Sequence, residues 1–202
     1  ISQNDGTLME SQFVREFPAL TFSSGPTNSL RGAARLPGIE DAIVVDIGGT
    51  TSDIGVLKGG FPRESNMVVE VGGVRTNFRM PDVQAIGLGG GSLVEDEGRR
   101  IGPQSVGHNL VRDGLVFGGK ILTATDIVVA AGLADVGDKS AVQDVPKATV
   151  ENGLSTIRQI LEDGIRMMKP TRAPLPVVLV GGGAIMAPRE MAHVSDILAP
   201  TT

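Results

Sequence analysis

The apolar residues of this chain predict a strand, a tight turn and a second strand within residues 43–57. Residues 43–47 are apolar except for Asp46, which is typical of a strand that is buried on both faces. Two glycines and three hydroxyl residues interrupt this run, and apolar residues then return at alternate positions up to Leu57. We therefore expect an antiparallel pair of strands joined by a turn.

Three other segments extend this pattern to an α/β fold. Residues 83–88 and 177–180 are apolar runs of strand length, and we expect the second of them to be parallel to its neighbour. Apolar positions recur at helical spacing from Pro146 to Met168, and Lys169-Pro170 marks the end of that helix.

Shorter helices are expected on either side of this framework. Ser24-Gly25-Pro26 is a normal helix start, and a short helical stretch is expected at residues 29–36. A last helix is expected at residues 188–197, with His193 on its surface.

The turn between the first two strands carries the strongest chemical signal. Gly48 and Gly49 allow the backbone to bend sharply and to approach a ligand without an intervening Cβ. Successive N–H groups of such a turn, with the hydroxyls of Thr50 and Thr51, can bind an anion. Asp46 would repel a phosphate, so we expect it to hold Mg²⁺ or a water molecule.

Asp53 could serve the same purpose, and Asp46 and Asp53 are therefore the candidate catalytic carboxylates. The alternative is a plain β-hairpin whose glycines and threonines only complete the turn. Two-residue signals such as Asn-Gly are enough for a hairpin. The pattern Asp-x-Gly-Gly-Thr-Thr-x-Asp therefore favours a phosphate-binding loop.

Two runs of three glycines also follow predicted strands. Gly89, Gly90 and Gly91 carry a large entropy cost on folding, which implies that something lies against their backbone. Ser92 stands where the dinucleotide fingerprint needs its third glycine, and no helix signal follows, so we reject a Rossmann site. Gly181–Gly183 are expected at the carboxyl edge of the sheet, where open α/β folds bind ligands.

Composition narrows the classes of function. The 202 residues carry a net charge of −5, scattered basic residues and 3% aromatics, which argues against a nucleic-acid surface. The absence of cysteine excludes disulfides, thiolate zinc sites and a cysteine nucleophile, and two isolated histidines argue against a histidine metal site. No apolar run approaches the roughly 18 residues of a membrane span. No signal peptide is visible, so we expect a cytoplasmic protein.

Other motifs are weaker. Residues 114–120 have the Walker A spacing, but Ile121 stands where Mg²⁺ needs a hydroxyl, so we reject this match. Thr123 or Thr125 is expected to cap a short helix, with Asp126 at its positive end.

Four further side chains could act in a binding or catalytic site, but each could also be an ordinary surface or structural residue. Arg75 and Arg79 could bind a phosphate or a carboxylate, although solvated charges are the commoner outcome. His108 could contact a substrate. Ser92 is a weak nucleophile candidate because no histidine is near it in the sequence.

Five motifs together resemble those of the hydantoinase A/5-oxoprolinase family, in order and in spacing. They are Ser24-Gly25-Pro26, Asp46–Asp53, Gly87–Ser92, Gly102–Gly107 and Leu122–Asp126. The second of them is similar to the second phosphate loop of the actin-like ATPase fold. The resemblance implies an α/β fold that is a ribonuclease-H-like half of an actin-like ATPase, with a mixed sheet and flanking helices.

The resemblance also implies ATP and Mg²⁺ as cofactors, with Asp46 as the metal ligand. The residues implied to contact the nucleotide are Gly48, Gly49, Thr50, Thr51, Gly89, Gly90, Gly91, Gly181, Gly182 and Gly183. The last triplet would be the adenosine loop. Many members have a histidine a few positions after it, whereas this chain has Ile185-Met186-Ala187.

The implied reaction is the ATP-dependent opening of a cyclic amide of the hydantoin or 5-oxoproline type, by phosphorylation of the amide oxygen and attack of water. The Asp-x-Gly-x-Thr pattern occurs once here, whereas the fold needs two halves. We therefore expect residues 1–202 to form one partial domain that is inactive alone, with 1–22 as a connector from a missing N-terminal half. A second hydantoinase-type subunit is a possible partner.

Two other functions stay open. The chain could be a non-catalytic, nucleotide-dependent switch or assembly domain. It could also belong to a small-molecule kinase of the same fold, although the motifs around Gly89 and Thr125 disfavour that.

Overall fold

The computed structural model describes residues 1–36, 39–65, 69–71, 73–76 and 80–199, and shows a mixed α/β fold. The strands, numbered along the chain, are β1 (Ala42–Ile47), β2 (Ser52–Lys58), β3 (Phe61–Pro62), β4 (Val69–Val71), β5 (Val74–Thr76), β6 (Val83–Ile86), β7 (Ser92–Glu95), β8 (Arg100–Ser105), β9 (Leu175–Val180) and β10 (Val194–Leu198). The α-helices are α1 (Ser11–Glu16), α2 (Ser24–Ala33), α3 (Leu110–Asp113), α4 (Ala124–Ala130) and α5 (Lys147–Met168). Short 3₁₀ turns lie at Pro18–Thr21, Asp96–Gly98, Gly107–Asn109, Leu115–Phe117, Lys139–Val142 and Gly182–Met186.

The central sheet has the strand order β10-β9-β1-β2-β3, and β6 also pairs with β2. Strands β1 and β2 are antiparallel, as their alternating pattern predicts, whereas β9 is parallel to both β1 and β10. The pairs β4–β5 and β7–β8 form two separate small sheets. The predicted hairpin and the predicted parallel strand are therefore confirmed, and the sheet is mixed.

The two faces of the central sheet are covered by different helices. Ile43, Val45 and Ile47 point to one face, where they join a core cluster with residues of α4 and α5. Helix α5 lies so close to β2 that a Cβ at Gly164 would be 2.5 Å from Ile54 Cδ1. On the other face, Val44 packs with residues of α2. Because side chains alternate along a strand, Asp46 also points to the α2 side.

The long helix α5 ends one residue before Lys169, as predicted. Helix α2 differs from its prediction, because it begins at Ser24 rather than Ser29 and ends at Ala33. Its earlier start includes Ser24-Gly25-Pro26 in the first turn. No helix within the described residues has the length and apolar character that spanning a bilayer requires.

The prediction of a helix at residues 188–197 is wrong. The glycine triplet enters a 3₁₀ turn, and the chain then forms β10 alongside β9. His193 has a φ of 63°, in the left-handed region that interrupts a right-handed helix, so it is not a helix surface residue. Val194, Ile197 and Leu198 have helical spacing, but a register shift between Val194 and Ile197 produces that spacing in a strand.

Candidate functional site

In the turn between β1 and β2, the carbonyl groups accept hydrogen bonds, whereas three of the N–H groups have no acceptor among the described residues. Gly48 N donates to Thr51 O at 2.9 Å, which closes the hairpin. Gly48 O and Gly49 O accept from the N–H groups of the glycine run behind them, at 3.0 and 2.7 Å. Among the described residues, the N–H groups of Gly49, Thr50 and Thr51 have no acceptor, and all three residues are exposed. Adjacent free N–H groups of this kind form an anion-binding concavity.

The glycine run behind the turn is Gly89–Gly91, and all three residues are buried. A Cβ at Gly89 would lie 2.5 Å from Thr50 N, so only glycine fits there. The N–H of Gly89 donates to Ser92 Oγ at 2.9 Å, while those of Gly90 and Gly91 bind the turn. The triplet therefore supports the turn from inside the protein, and its direct contact with a nucleotide stays a prediction.

The second glycine triplet lies beside the same turn. Asp46 on β1 pairs with Val180 on β9, so the parallel register brings both strand ends to one edge of the sheet. Gly181 has a φ of 84°, and a Cβ there would overlap Asp46 Oδ1 and Ile47 O. A Cβ at Gly183 would be 3.0 Å from Gly48 O, whereas Gly182 has nothing within 4 Å. Two glycine clusters that are far apart in sequence thus form one glycine-lined edge.

Asp46 and Asp53 face each other across the hairpin. They are directly paired in the β1–β2 ladder, and both line a narrow crevice beneath α2. Burial, and secondly the charge of Asp46, raises the pKa of Asp53 above its ordinary value. Like charges directly opposite each other in a sheet are destabilising, so a cation here would relieve a repulsion.

The donor set fits Mg²⁺ better than a metal bound entirely by protein. In the ranges that the structure describes, no group of three or more His, Cys, Asp or Glu residues is placed to hold a metal ion. Mg²⁺ is commonly held by one or two carboxylates, with phosphate oxygens and water completing its shell. Asp46 and Asp53, beside the anion-binding turn, provide that combination.

The segment Gly102–Gly107 reaches the turn from another direction. Ser105 Oγ lies 3.4 Å from Gly49 O and accepts from Gly107 N at 3.0 Å. A Cβ at Gly107 would be 3.5 Å from Thr50 Oγ1. His108 follows in a 3₁₀ turn and is exposed, next in sequence to the glycine that approaches Thr50. Contact between His108 and a substrate stays a prediction.

Comparisons with known proteins show the family of the chain. A model of the family described as "Hydantoinase/oxoprolinase" (Hydantoinase_A) matches residues 1–165. The chain belongs to the hydantoinase/oxoprolinase family. The match includes the turn, Asp46, Asp53 and Gly89–Gly91, while Gly181–Gly183 lie beyond it.

Related proteins include ATP-dependent enzymes. The chain is 34% identical over 143 residues to the caprolactamase subunit alpha of Pseudomonas jessenii, an alignment that covers 66% of this chain and 20% of that protein. The chain thus spans about a fifth of the length of this curated relative.

Two solved structures are similar in fold. Nucleotide-free acetone carboxylase, described as catalysing ATP-dependent acetone carboxylation, aligns with a TM-score of 0.66 at 20% identity, over 91% of this chain and 30% of that one. The ATP-dependent caprolactamase from Pseudomonas jessenii aligns with a TM-score of 0.57 at 28% identity, over 81% of this chain and 28% of that one.

The other candidate binding residues from the sequence lie apart from the turn between β1 and β2. Residues 115–117 of the Walker-like segment form a 3₁₀ turn, and Lys120 is exposed. Asp126 is fully buried in the first turn of α4, and Thr123, one of the two predicted caps, is the N-cap residue and forms a capping box with it. Arg75 is exposed on β5, and Arg79 is outside the described residues.

A cavity of about 710 Å³ also lies away from the turn. It lies between the last turns of α5 and residues 192–193, at the amino ends of β9 and β10. The glycine-lined edge is at the carboxyl end of β9, so the cavity belongs to the other end of the sheet.

The sequence did not reveal the roles of Ser29 and Thr125, whose side chains bind Asp46 and the glycine run behind the turn. Ser29 Oγ donates to Asp46 Oδ2. Thr125 donates to Gly90 O through both its N–H, at 3.0 Å, and its hydroxyl, at 2.9 Å. A hydroxyl one helical turn after Pro26 was a usable signal for Ser29, but its partner lies 17 residues away in sequence.

Proposed function

We propose that this chain forms the phosphate-binding wall of an ATP-dependent enzyme that opens a cyclic amide. The observation that supports this most strongly is the single edge formed by the free N–H groups of Gly49–Thr51, the carboxylate of Asp46 and the backbone of Gly181–Gly183. Caprolactam is a cyclic amide, and the caprolactamase relatives carry that substrate in their name.

In this proposal, the chain's own residues position charge. The N–H groups of Gly49, Thr50 and Thr51 bind the β- and γ-phosphate oxygens, and the hydroxyls of Thr50 and Thr51 add donors. Asp46, supported by Asp53, holds Mg²⁺, whose role is to neutralise phosphate charge during transfer. Gly181, Gly182 and Gly183 allow the nucleoside to approach the backbone closely.

The reaction consumes ATP and water. The γ-phosphoryl group passes to the oxygen of the ring amide, a first water adds to the amide carbon, and the C–N bond breaks to leave an acyl phosphate. A second water hydrolyses that acyl phosphate to the carboxylate and phosphate. The products are the ring-opened amino acid, ADP and phosphate. Phosphoryl transfer depends mainly on positioning and electrostatics, so it needs neither cysteine nor a histidine base.

We further propose that the site is completed by a second half, as in an actin-like ATPase fold. Support comes from the relatives, of which this chain spans between 20% and 30%, and from the description of one of them as a subunit alpha. Residues 1–22 would connect the halves, because Asn4 O already accepts from Thr27 of α2 at 3.0 Å. We place the reaction in the cytoplasm, where ATP and Mg²⁺ are available.

The test is ATP hydrolysis by the complete enzyme with and without caprolactam, hydantoin or 5-oxoproline. We expect one of these cyclic amides to increase the rate of ATP hydrolysis, and the ring-opened product to accumulate in step with ADP. We expect Asp46→Asn to abolish both, because it removes the metal carboxylate. Slow hydrolysis that no cyclic amide changes would contradict the proposal and favour a nucleotide-dependent switch, whereas a stable phosphorylated product would favour a kinase.

A further inference from the structure

The carboxylate of Asp46 contacts two groups that are not metal ligands, the hydroxyl of Ser29 and the backbone of Gly181. Ser29 Oγ, on the second turn of α2, donates to Asp46 Oδ2. On the other side, the backbone of Gly181 lies so close to Asp46 Oδ1 that a Cβ would overlap it. A carboxylate bounded in this way has little rotational freedom. Asp53 lines the same narrow crevice as Asp46.

The position of α2 does not depend on the Ser29 hydroxyl. Leu30 packs against Gly55, where a Cβ would be 2.8 Å from Leu30 Cδ2. Thr27 is buried and its hydroxyl binds Asn4 O, while Leu30 and Ala33 belong to the core cluster on this face. The helix is thus fixed on the sheet by neighbouring residues. Removing the Ser29 hydroxyl would free the carboxylate without displacing the helix.

From this geometry we infer that Ser29 is a positioning residue, which orients Asp46 for Mg²⁺ bound with a nucleotide. The inference rests on the proposed function, because it needs the metal site at Asp46. Groups that hydrogen-bond to metal ligands fix ligand orientation, and their removal typically weakens metal affinity about 10- to 100-fold. Ser29 does not touch substrate or metal in this role, and acts only through Asp46.

The experiment measures binding of Mn²⁺, as a paramagnetic substitute for Mg²⁺, to the complete protein with saturating ADP. Electron paramagnetic resonance of free Mn²⁺ gives the affinity without any turnover. We expect Ser29→Ala to weaken Mn²⁺ binding about tenfold. Ser29→Thr, which keeps the hydroxyl, should restore binding close to that of the wild type. Melting temperatures of both variants should stay close to that of the wild type.

The outcomes separate this inference from the proposed function. If the wild type binds Mn²⁺ with ADP and Ser29→Ala binds it equally well, the positioning role is wrong while the proposed function stands. If Ser29→Ala loses Mn²⁺ binding only together with a large fall in melting temperature, Ser29 is a structural residue and the positioning role is also wrong. If the wild type binds no Mn²⁺ with ADP, the metal site itself is wrong, and the role of Ser29 is overturned with it.

Discussion

Gly89→Ala is expected to destabilise the protein by about 2–3 kcal/mol and to abolish binding of Mg-ATP. The added Cβ would lie 2.5 Å from Thr50 N and 2.6 Å from the carbonyl carbon of Gly49, and both are backbone atoms that cannot move aside cheaply. Overpacking of this kind typically costs 1–3 kcal/mol. The turn would have to shift, and its free N–H groups would move with it. For a protein of this size the melting temperature should fall by about 5–10 °C.

Gly32→Ala is the matched control for this substitution. Gly32 is exposed in α2, and a Cβ there would meet nothing within 4 Å. Alanine in a helix is favoured over glycine by about 0.5–1 kcal/mol, so this variant should be slightly more stable and should bind Mg-ATP normally. Thermal unfolding of this chain and calorimetric titration of the complete enzyme with Mg-ATP check both variants. A Gly89→Ala protein with wild-type stability and affinity would show that the triplet does not support the turn.

Asp126→Ala is expected to cost about 3–5 kcal/mol and to weaken Mg-ATP binding from a distance. Asp126 is fully buried, and its carboxylate accepts from Val116 N at 2.8 Å, Thr123 N at 2.7 Å and Thr123 Oγ1 at 2.7 Å. Alanine would leave these three donors unsatisfied in the interior, at about 1–3 kcal/mol each before any relaxation. The same helix turn carries Thr125, whose bonds to Gly90 O hold the glycine run behind the phosphate-binding turn.

Asp138→Ala offers a control with the same kind of bonds in a different environment. Asp138 accepts from Ser140 N and Ser140 Oγ, but it is exposed. Water can satisfy these donors after the substitution, so we expect little change in stability or in nucleotide affinity. Urea unfolding measures the difference between the variants. Equal unfolding midpoints for Asp126→Ala and the wild type would show that the buried cap contributes nothing to stability.

Local patterns predicted the parts of the fold in which each residue's role depends on its near neighbours. The hairpin β1–β2 is an apolar run, a glycine-rich turn and a return of apolar residues. Helix α5 has apolar residues at helical spacing before Lys169-Pro170, and β9 is a short apolar run followed by glycines. In each case the pattern and the turn residues agree, so no distant contact was needed to decide the structure.

Distant contacts decided the remaining parts. The spacing of Val194, Ile197 and Leu198 is helical, and only the register shift against β9 shows that it belongs to a strand. The hydrogen bond from Ser29 to Asp46 and the packing of Gly181 against the same carboxylate depend on tertiary structure. The sequence predicted that Gly89–Gly91 lie against another backbone. It could not show that the N–H groups of Gly90 and Gly91 donate to the turn.

The most direct test of the phosphate-binding turn is a crystal structure of the complete enzyme with Mg²⁺ and a non-hydrolysable ATP analogue. We expect β- and γ-phosphate oxygens within about 3 Å of the N–H groups of Gly49, Thr50 and Thr51, with Mg²⁺ next to Asp46 and the nucleoside against Gly181–Gly183. Phosphates bound elsewhere, such as in the cavity at the end of α5, would contradict the assignment of this turn.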